Sequence, residues 1–231
     1  MSDRGREFDA HALSYDDQLA EGLDLTGESK DHFALRRIRW LKARVAALGV
    51  RSVDRVLDFG CGDGSSAPLL RDLLGAREVV GVDESPAMLE RAAAQHPWAR
   101  FAPTDTLAAA GRFDLAYCNG VFHHVPPSAR AGVAAAVRDA LRPGGIFAFW
   151  ENHPWNPGTR AVMRRVAFDR DAIMLSPPAA RRLLRTAGFE VVRTDHLFIF
   201  PRALAFLRPL EAPLSRLPIG GQYLVLARRP A

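Results

Sequence analysis

Val56-Leu57-Asp58-Phe59-Gly60-Cys61-Gly62-Asp63-Gly64 runs from a short apolar strand pattern through a carboxylate into glycines at alternate positions, and a helix-compatible segment over 65–74 follows at once. The stretch predicts a strand, a tight turn and a helix start. Glycines at 60, 62 and 64 let the turn take positive φ and let a ligand lie against bare backbone. The amides that open the next helix stay free to donate. Downstream, Glu78-Val79-Val80-Gly81-Val82-Asp83 reads as a buried strand that ends in a carboxylate 23 residues after Gly60, about the spacing at which a second strand presents an acid to ribose hydroxyls. Together the two stretches predict a nucleotide-like ligand. The loop is G-x-G-x-G, not the G-x-G-x-x-G that hydride-transfer enzymes favour, and this weighs against a nicotinamide-dependent dehydrogenase.

Around this centre strands and helices alternate. Over 29–48, Phe33, Ile38, Leu41, Val45 and Leu48 fall on a helical period and Gly49 suits a C-cap. The basic residues beside them, Arg36, Arg37, Arg39, Lys42 and Arg44, read as a solvated face, from which one turned inward could pair with a carboxylate. Ser85-Pro86 opens a helix to about 95 with Met88 and Leu89 inward; strands follow at 99–102, 113–118 and 146–150, with a helix over 128–141. This order predicts parallel pairing with right-handed crossovers. Arg142-Pro143-Gly144-Gly145 reads as a turn. Further helices are expected over 159–168 and 177–187, and strands over 189–200 and 222–227 flank a proline-rich excursion, 201–219, as an antiparallel edge pair.

Five ordered blocks resemble the class I S-adenosylmethionine-dependent methyltransferases: V-L-D-F-G-C-G-D-G at 56–64, G-V-D-E-S-P-A-M-L at 81–89, an acid at Asp105, F-D-L-A-Y-C-N-G-V-F-H-H-V at 113–125 and L-R-P-G-G at 141–145. The resemblance spans roughly residues 10 to 200. It implies an α/β fold, a Rossmann-like, doubly wound and mostly parallel seven-stranded sheet with an antiparallel C-terminal edge strand and helices on both faces. It implies S-adenosylmethionine as cofactor, S-adenosylhomocysteine as product, and cofactor contacts from Tyr15, Asp58, Gly60, Cys61, Gly62, Asp83, Glu84, Met88, Asp105, Thr106, Asn119 and Gly120. Asp105 in this role accepts from the adenine amino group; its alternative is a cap for a helix over 107–110. Tyr15 touches the methionine end or packs on the core.

The composition agrees with such an enzyme. Apolar residues make 48% and charged residues 25% of 231, which predicts one globular domain with a sizeable core. Within it, 1–48 is a helical cover, 53–200 the core, 201–219 an insertion and 220–228 the last strand. The net charge of +5 comes almost wholly from arginine, Lys30 and Lys42 being the lysines, and the arginines are scattered instead of forming the basic stripe of a nucleic-acid binder. Arginine bias of this kind is expected of a GC-rich genome. Cys61 and Cys118 lack metal-ligand spacing and read as reduced thiols. No signal peptide or spanning segment is read, which places the protein in the cytoplasm and off the membrane.

Methyl transfer from a sulfonium asks the protein to align acceptor, methyl carbon and sulfur and to help a hydroxyl lose its proton. His123 and His124 follow the fourth strand and His153 the fifth, so imidazoles gather at the edge where open α/β sheets bind ligands. These are the candidate bases, His124 first; the alternative for the histidine pair is a structural turn. No zinc site is expected, since neither cysteine nor His-x₃-His spacing accompanies them. Trp155, Arg160 and Arg164, with Arg165, are candidate substrate contacts that would clamp an acidic acceptor, or else an exposed helix face. The expected reaction is methylation of a hydroxyl or acid oxygen on a small molecule in bacterial specialised metabolism. Nitrogen, carbon and RNA acceptors stay open, although Asn119-Gly120-Val121-Phe122 lacks the Asn-Pro-Pro-aromatic pattern of base methylation. A catalytically silent nucleotide-binding module is the non-enzyme reading, and 201–219 either covers the substrate or forms a homodimer contact.

Overall fold

The computed structural model describes residues 15–231, with side chains described from residue 18. One sheet contains β1 (Arg55–Phe59), β2 (Glu78–Asp83), β3 (Arg100–Pro103), β4 (Phe113–Asn119), β5 (Leu141–Asn152), β6 (Glu190–Leu197) and β7 (Gln222–Arg228), in the order β3-β2-β1-β4-β5-β7-β6. Pairing is parallel from β3 through β5 and antiparallel where β7 meets β5 and β6. The chain runs outward one way from β1 and the other way from β4, so the crevice above these neighbours is the switch point at which open α/β sheets take ligands.

Eight helices surround the sheet among the described residues: α1 (Tyr15–Leu23), α2 (Lys30–Ala47), α3 (Ala67–Leu74), α4 (Pro86–Gln95), α5 (Arg130–Ala140), α6 (Pro157–Arg165), α7 (Pro177–Thr186) and the single turn α8 (Glu211–Leu214). Ser29, Ser85, Asn156 and Ser176 cap α2, α4, α6 and α7 by accepting from amides three residues on, which satisfies donors that a helix start leaves open. The central strands are buried on both faces, as a sheet covered by helices on each side demands. Alternation along β5 sends Phe147 and Phe149 to the layer of α5 and α7, and Ile146, Ala148 and Trp150 to the layer of α2 and α3.

Several expected boundaries move for local reasons. The helix after the glycine loop starts at Ala67 because Asp63 Oδ1 first accepts from the Ser65 amide, 3.1 Å away, closing a turn. The Arg142–Gly145 turn stays within β5, held by Gly144 N–H to Arg229 O and Arg229 N–H to Gly145 O. The expected 159–168 helix breaks after Arg165 into a separate 3₁₀ turn, Ala167–Asp169, that buries Phe168 and Asp169. β6 stops at Leu197 because Phe198 takes φ of 61°, a left-handed conformation that a strand cannot continue through. Residues 201–219 fold as a 3₁₀ segment, Arg202–Leu210, and α8.

A buried carboxylate fastens the cover helix α2 to the sheet edge. Asp195 of β6 is 1% exposed and accepts from Trp40 Nε1, Arg44 Nε and Arg193 Nε at 3.0, 2.8 and 2.6 Å. Asp195→Ala leaves these donors without their acceptor and is expected to cost about 1–3 kcal/mol, read as a lower urea midpoint at unchanged slope.

Candidate active site

The glycine loop leaves β1 and is tied back to β2. Gly60 N–H and Cys61 N–H both donate to Val82 O, and Gly62 N–H donates to Asp83 Oδ2 at 2.9 Å. The other Asp83 oxygen accepts from Ser85 N–H at 3.0 Å, so one carboxylate sets both the loop and the entry to α4. Gly60, at φ +71°, has room for hydrogen alone, since a Cβ there would lie 2.2 Å from Val121 Cγ2. Gly62, at φ +53°, faces the opposite situation: a Cβ would meet nothing within 4 Å, and bare backbone fronts open space.

That space is a cavity of about 900 Å³. Gly60, Gly62, Asp83, Glu84, Met88, Thr104, Asn119 and Gly120 line its sheet side. Leu19 and Leu23 of α1, Phe33 and Arg36 of α2, Val162 and Met163 of α6, and Phe198–Pro201 close it from above. Arg37 of α2 is the inward arginine. It is 7% exposed, lines the cavity, and donates from Nε to Tyr117 OH at 3.1 Å and from Nη1 to Gln222 Oε1 at 3.0 Å. No carboxylate pairs with it among the described residues. Asp58 lies buried beneath the loop with Oδ2 unpartnered; burial, then the neighbouring Asp83 and Asp63, push its carboxyl up to about 8. Asn119 Oδ1 is also buried without a partner.

At the other end, His123 is held between two acids. Its Nδ1 is 2.6 Å from Glu151 Oε2 and its Nε2 3.3 Å from Asp169 Oδ1. Burial opposes the imidazolium, but the Glu151 charge and the bonds to Asp169 and Glu151 overcome it and raise its pKa to about 10. His124 Nε2 lies 3.1 Å from the same Asp169 oxygen. Burial, reinforced by its charged neighbour His123 and opposed by Asp169, holds its pKa below the ordinary value. At neutral pH His123 is therefore a cation and His124 a neutral ring able to take a proton. Asp169, despite burial, is lowered to about 2 by hydrogen bonds from the two histidines.

The structure brings His123, His124 and most of the expected cofactor residues onto one cavity and leaves others off it. His153 does not line it; its amide is tied to Gly221 O, and the ring is buried against His196 and Tyr223. Trp155 is 55% exposed, and Arg160 and Arg164 point along the outer face of α6, which turns Val162 and Met163 inward instead. The acidic-acceptor clamp expected of these arginines is not there. Asp105 and Thr106 are exposed on the 3₁₀ turn Thr104–Ala109, where Thr106 Oγ1 donates to Pro103 O, and Thr104 supplies the wall. Asp58 and Cys61 lie beneath the surface of the cavity. The Tyr15 side chain lies outside the described residues. Arg37 and Asp169 were hidden from sequence reading, the first among five basic neighbours, the second in an uncapped turn; Glu151 was visible only as the end of a strand.

A methyltransferase-domain family matches residues 56–145. Trans-aconitate 2-methyltransferase of Escherichia coli O157:H7 is 30% identical over 142 residues, covering 61% of this chain and 56% of that protein. The chain thus spans little more than half the length of these curated relatives. An uncharacterized methyltransferase of Synechocystis is 31% identical over 160 residues, 65% of this chain and 73% of the relative. The crystal structure of an S-adenosylmethionine-dependent methyltransferase from Mesorhizobium loti superposes with a TM-score of 0.56 at 25% identity, covering 77% and 91% of the two chains. With the strand order and the glycine loop, these likenesses show that the chain belongs to the class I S-adenosylmethionine-dependent methyltransferases. The residues present fit the family's cofactor. Two buried acceptors, on Asp58 and Asn119, stand near a buried guanidinium without a carboxylate, as an amino acid's ammonium and carboxylate require, and Gly62 offers the uncovered backbone. No helix among the described residues is long and apolar enough to cross a membrane.

Two outcomes follow from this geometry. Arg37→Ala is expected to weaken S-adenosylhomocysteine binding at least tenfold by calorimetry, and Asp83→Ala likewise, because both loop and acceptor are lost; affinities within twofold of the parent would refute these placements. His153, buried and then disfavoured further by His196, has its pKa lowered to about 4. The unfolded chain therefore binds the extra proton first, so the stability this ring contributes is complete above pH 6.5 and lost as pH falls toward 4. His153→Phe should flatten thermal midpoints across that window.

Proposed function

We propose that the chain transfers the methyl group of S-adenosylmethionine to an oxygen of a small acidic molecule. The observation that supports this reading is one continuous cavity lined both by the glycine loop and Asp83 and by His123, His124 and Asp169. When bound, the cofactor supplies an electrophilic methyl carbon on a sulfonium. The chain's residues do the rest by placement. Arg37 would hold the cofactor's carboxylate, Asn119 would accept from its ammonium with Asp58 beneath, and Asp83 and Glu84 would face its sugar. Phe33, Val121, Met163 and Phe198 wall the acceptor space with apolar surface, which excludes water and favours charge cancellation in the transition state. Alignment in such a space is worth several kcal/mol of barrier.

His124, neutral at pH 7 and oriented by Asp169, takes the acceptor's proton, while His123 stays charged and presents a fixed cation. An acidic acceptor is supported by Arg36, which lines the cavity with Nη1 buried and unpartnered while Nη2 donates to Glu211 at 2.8 Å. The Escherichia coli relatives are themselves named for an organic acid. Two buried free thiols support a reducing, cytoplasmic setting.

The test is a panel of hydroxy and carboxylic acids assayed for S-adenosylhomocysteine release. His124→Ala is expected to lower turnover about 10²- to 10⁴-fold with S-adenosylhomocysteine affinity within twofold, and parental turnover in the variant would remove His124 from the chemistry. Because the His124 pKa is depressed, turnover should hold through pH 6.5 and decline only at lower pH, as the ring takes a proton.

A further inference from the structure

The histidine pair and Asp169 meet at one point of the cavity wall. One ligand atom from each of His123, His124 and Asp169 lies within 4.8 Å of the others. His123 Nε2 and His124 Nε2 stand 3.3 and 3.1 Å from the same Asp169 oxygen. Two ligand atoms each about 2.0–2.1 Å from a shared divalent ion, at a near-tetrahedral angle, are about 3.3 Å apart. The spacing that hydrogen bonds give here is also the spacing of ligands around an ion.

We propose that His123, His124 and Asp169 form a site for a divalent transition-metal ion of the zinc or manganese class, open on its remaining positions to the acceptor end of the cavity. Two imidazoles and a carboxylate are the donors such ions take. The surroundings are built accordingly. Glu151, with its side chain fully buried, sits 2.6 Å from His123 Nδ1 and also accepts from the Phe122 and His123 amides. A carboxylate on the far nitrogen of a ligating histidine fixes tautomer and ring plane and leaves Nε2 for the ion.

Charge favours the same occupant. Glu151 and Asp169 are both buried, and neither pairs with an arginine or lysine among the described residues. A divalent ion that displaces the His123 Nε2 proton would set two positive charges, in place of one, against Glu151 and Asp169. Access is present too, since all three ligand residues line the cavity. The ligands also come from two segments that need joining: His123 and His124 from the loop after β4, Asp169 from the turn after α6. The backbone already links these segments through Ile173 N–H to His123 O at 2.9 Å.

Proton and metal ion compete for the same lone pairs. With the ion in place, an acceptor hydroxyl would complete its shell and release its proton to solvent water, as a metal-bound water does, His124 then serving as a ligand and not as the base. This use of the ion rests on the methyl-transfer reading; its binding does not.

The test uses chelator-stripped full-length chain and Co²⁺ as the probe. The expected result is one Co²⁺ per chain, with visible d–d absorption, displaced by Zn²⁺ one for one. Asp169→Asn and His124→Ala should each abolish that absorption, and Glu151→Gln should weaken Co²⁺ about 10- to 100-fold, with all three still binding S-adenosylhomocysteine as the folded protein does. His153→Ala, at the separate His153–His196 contact, should leave uptake unchanged. No saturable uptake by the parent, or uptake that survives Asp169→Asn and His124→Ala, would overturn the site. S-adenosylhomocysteine binding and methyl transfer retained in a chain that takes up no Co²⁺ would overturn the metal alone and leave the transferase reading standing.

Discussion

The bond pair from Asp83 to the Gly62 and Ser85 amides is the constraint on which the site depends. A glycine loop with positive φ at alternate residues has many conformations available to it, and this carboxylate selects one. It fixes the loop relative to β2 and α4 together, so the nucleoside side of the cavity is prepared before any ligand arrives. Burial acts against it, raising the Asp83 carboxyl, while the three backbone donors pull the other way. A group in that balance holds structure and still faces the cavity.

The remainder of the cavity is an arrangement of charges held apart by apolar walls. Arg37 is fastened by neutral partners, Tyr117 and Gln222, and forms no ion pair with a carboxylate among the described residues. Arg36, Lys30 and Arg208 also line the space but are engaged by Glu211, Asp63 and Glu28. At the far end the signs invert, with two carboxylates around His123. Low-dielectric surroundings strengthen the fields of Arg37 and of the His123–carboxylate group, and the fold already immobilises these side chains.

What could be read from the chain divides along physical lines. The glycine loop, the strand ending in Asp83, the alternation of strands and helices and the histidine pair were legible because their residue types carry local conformational or chemical meaning at fixed spacing. The antiparallel final strand followed from the family likeness. Arg37 was not distinguishable from Arg36, Arg39 or Arg44, because helical periodicity names a face only to within a residue or two and long side chains reach across it. Asp169 lies one residue past the expected 159–168 helix, and the break after Arg165 into a 3₁₀ turn buries it. His153 lies off the cavity for the converse reason: its strand ends at the right edge, yet the Gly221 bond and the edge-to-face contact with Tyr223 draw it into the packing.

The cavity roof is assembled from three separate parts of the chain, α1 with α2, α6 and the 198–201 corner, while its floor comes from the turns that follow the parallel strands. Roof and floor can therefore change at different rates. Substitutions in the roof away from Arg37 can reshape the cavity without disturbing the turns beneath it, so one scaffold of this kind can serve successive chemistries.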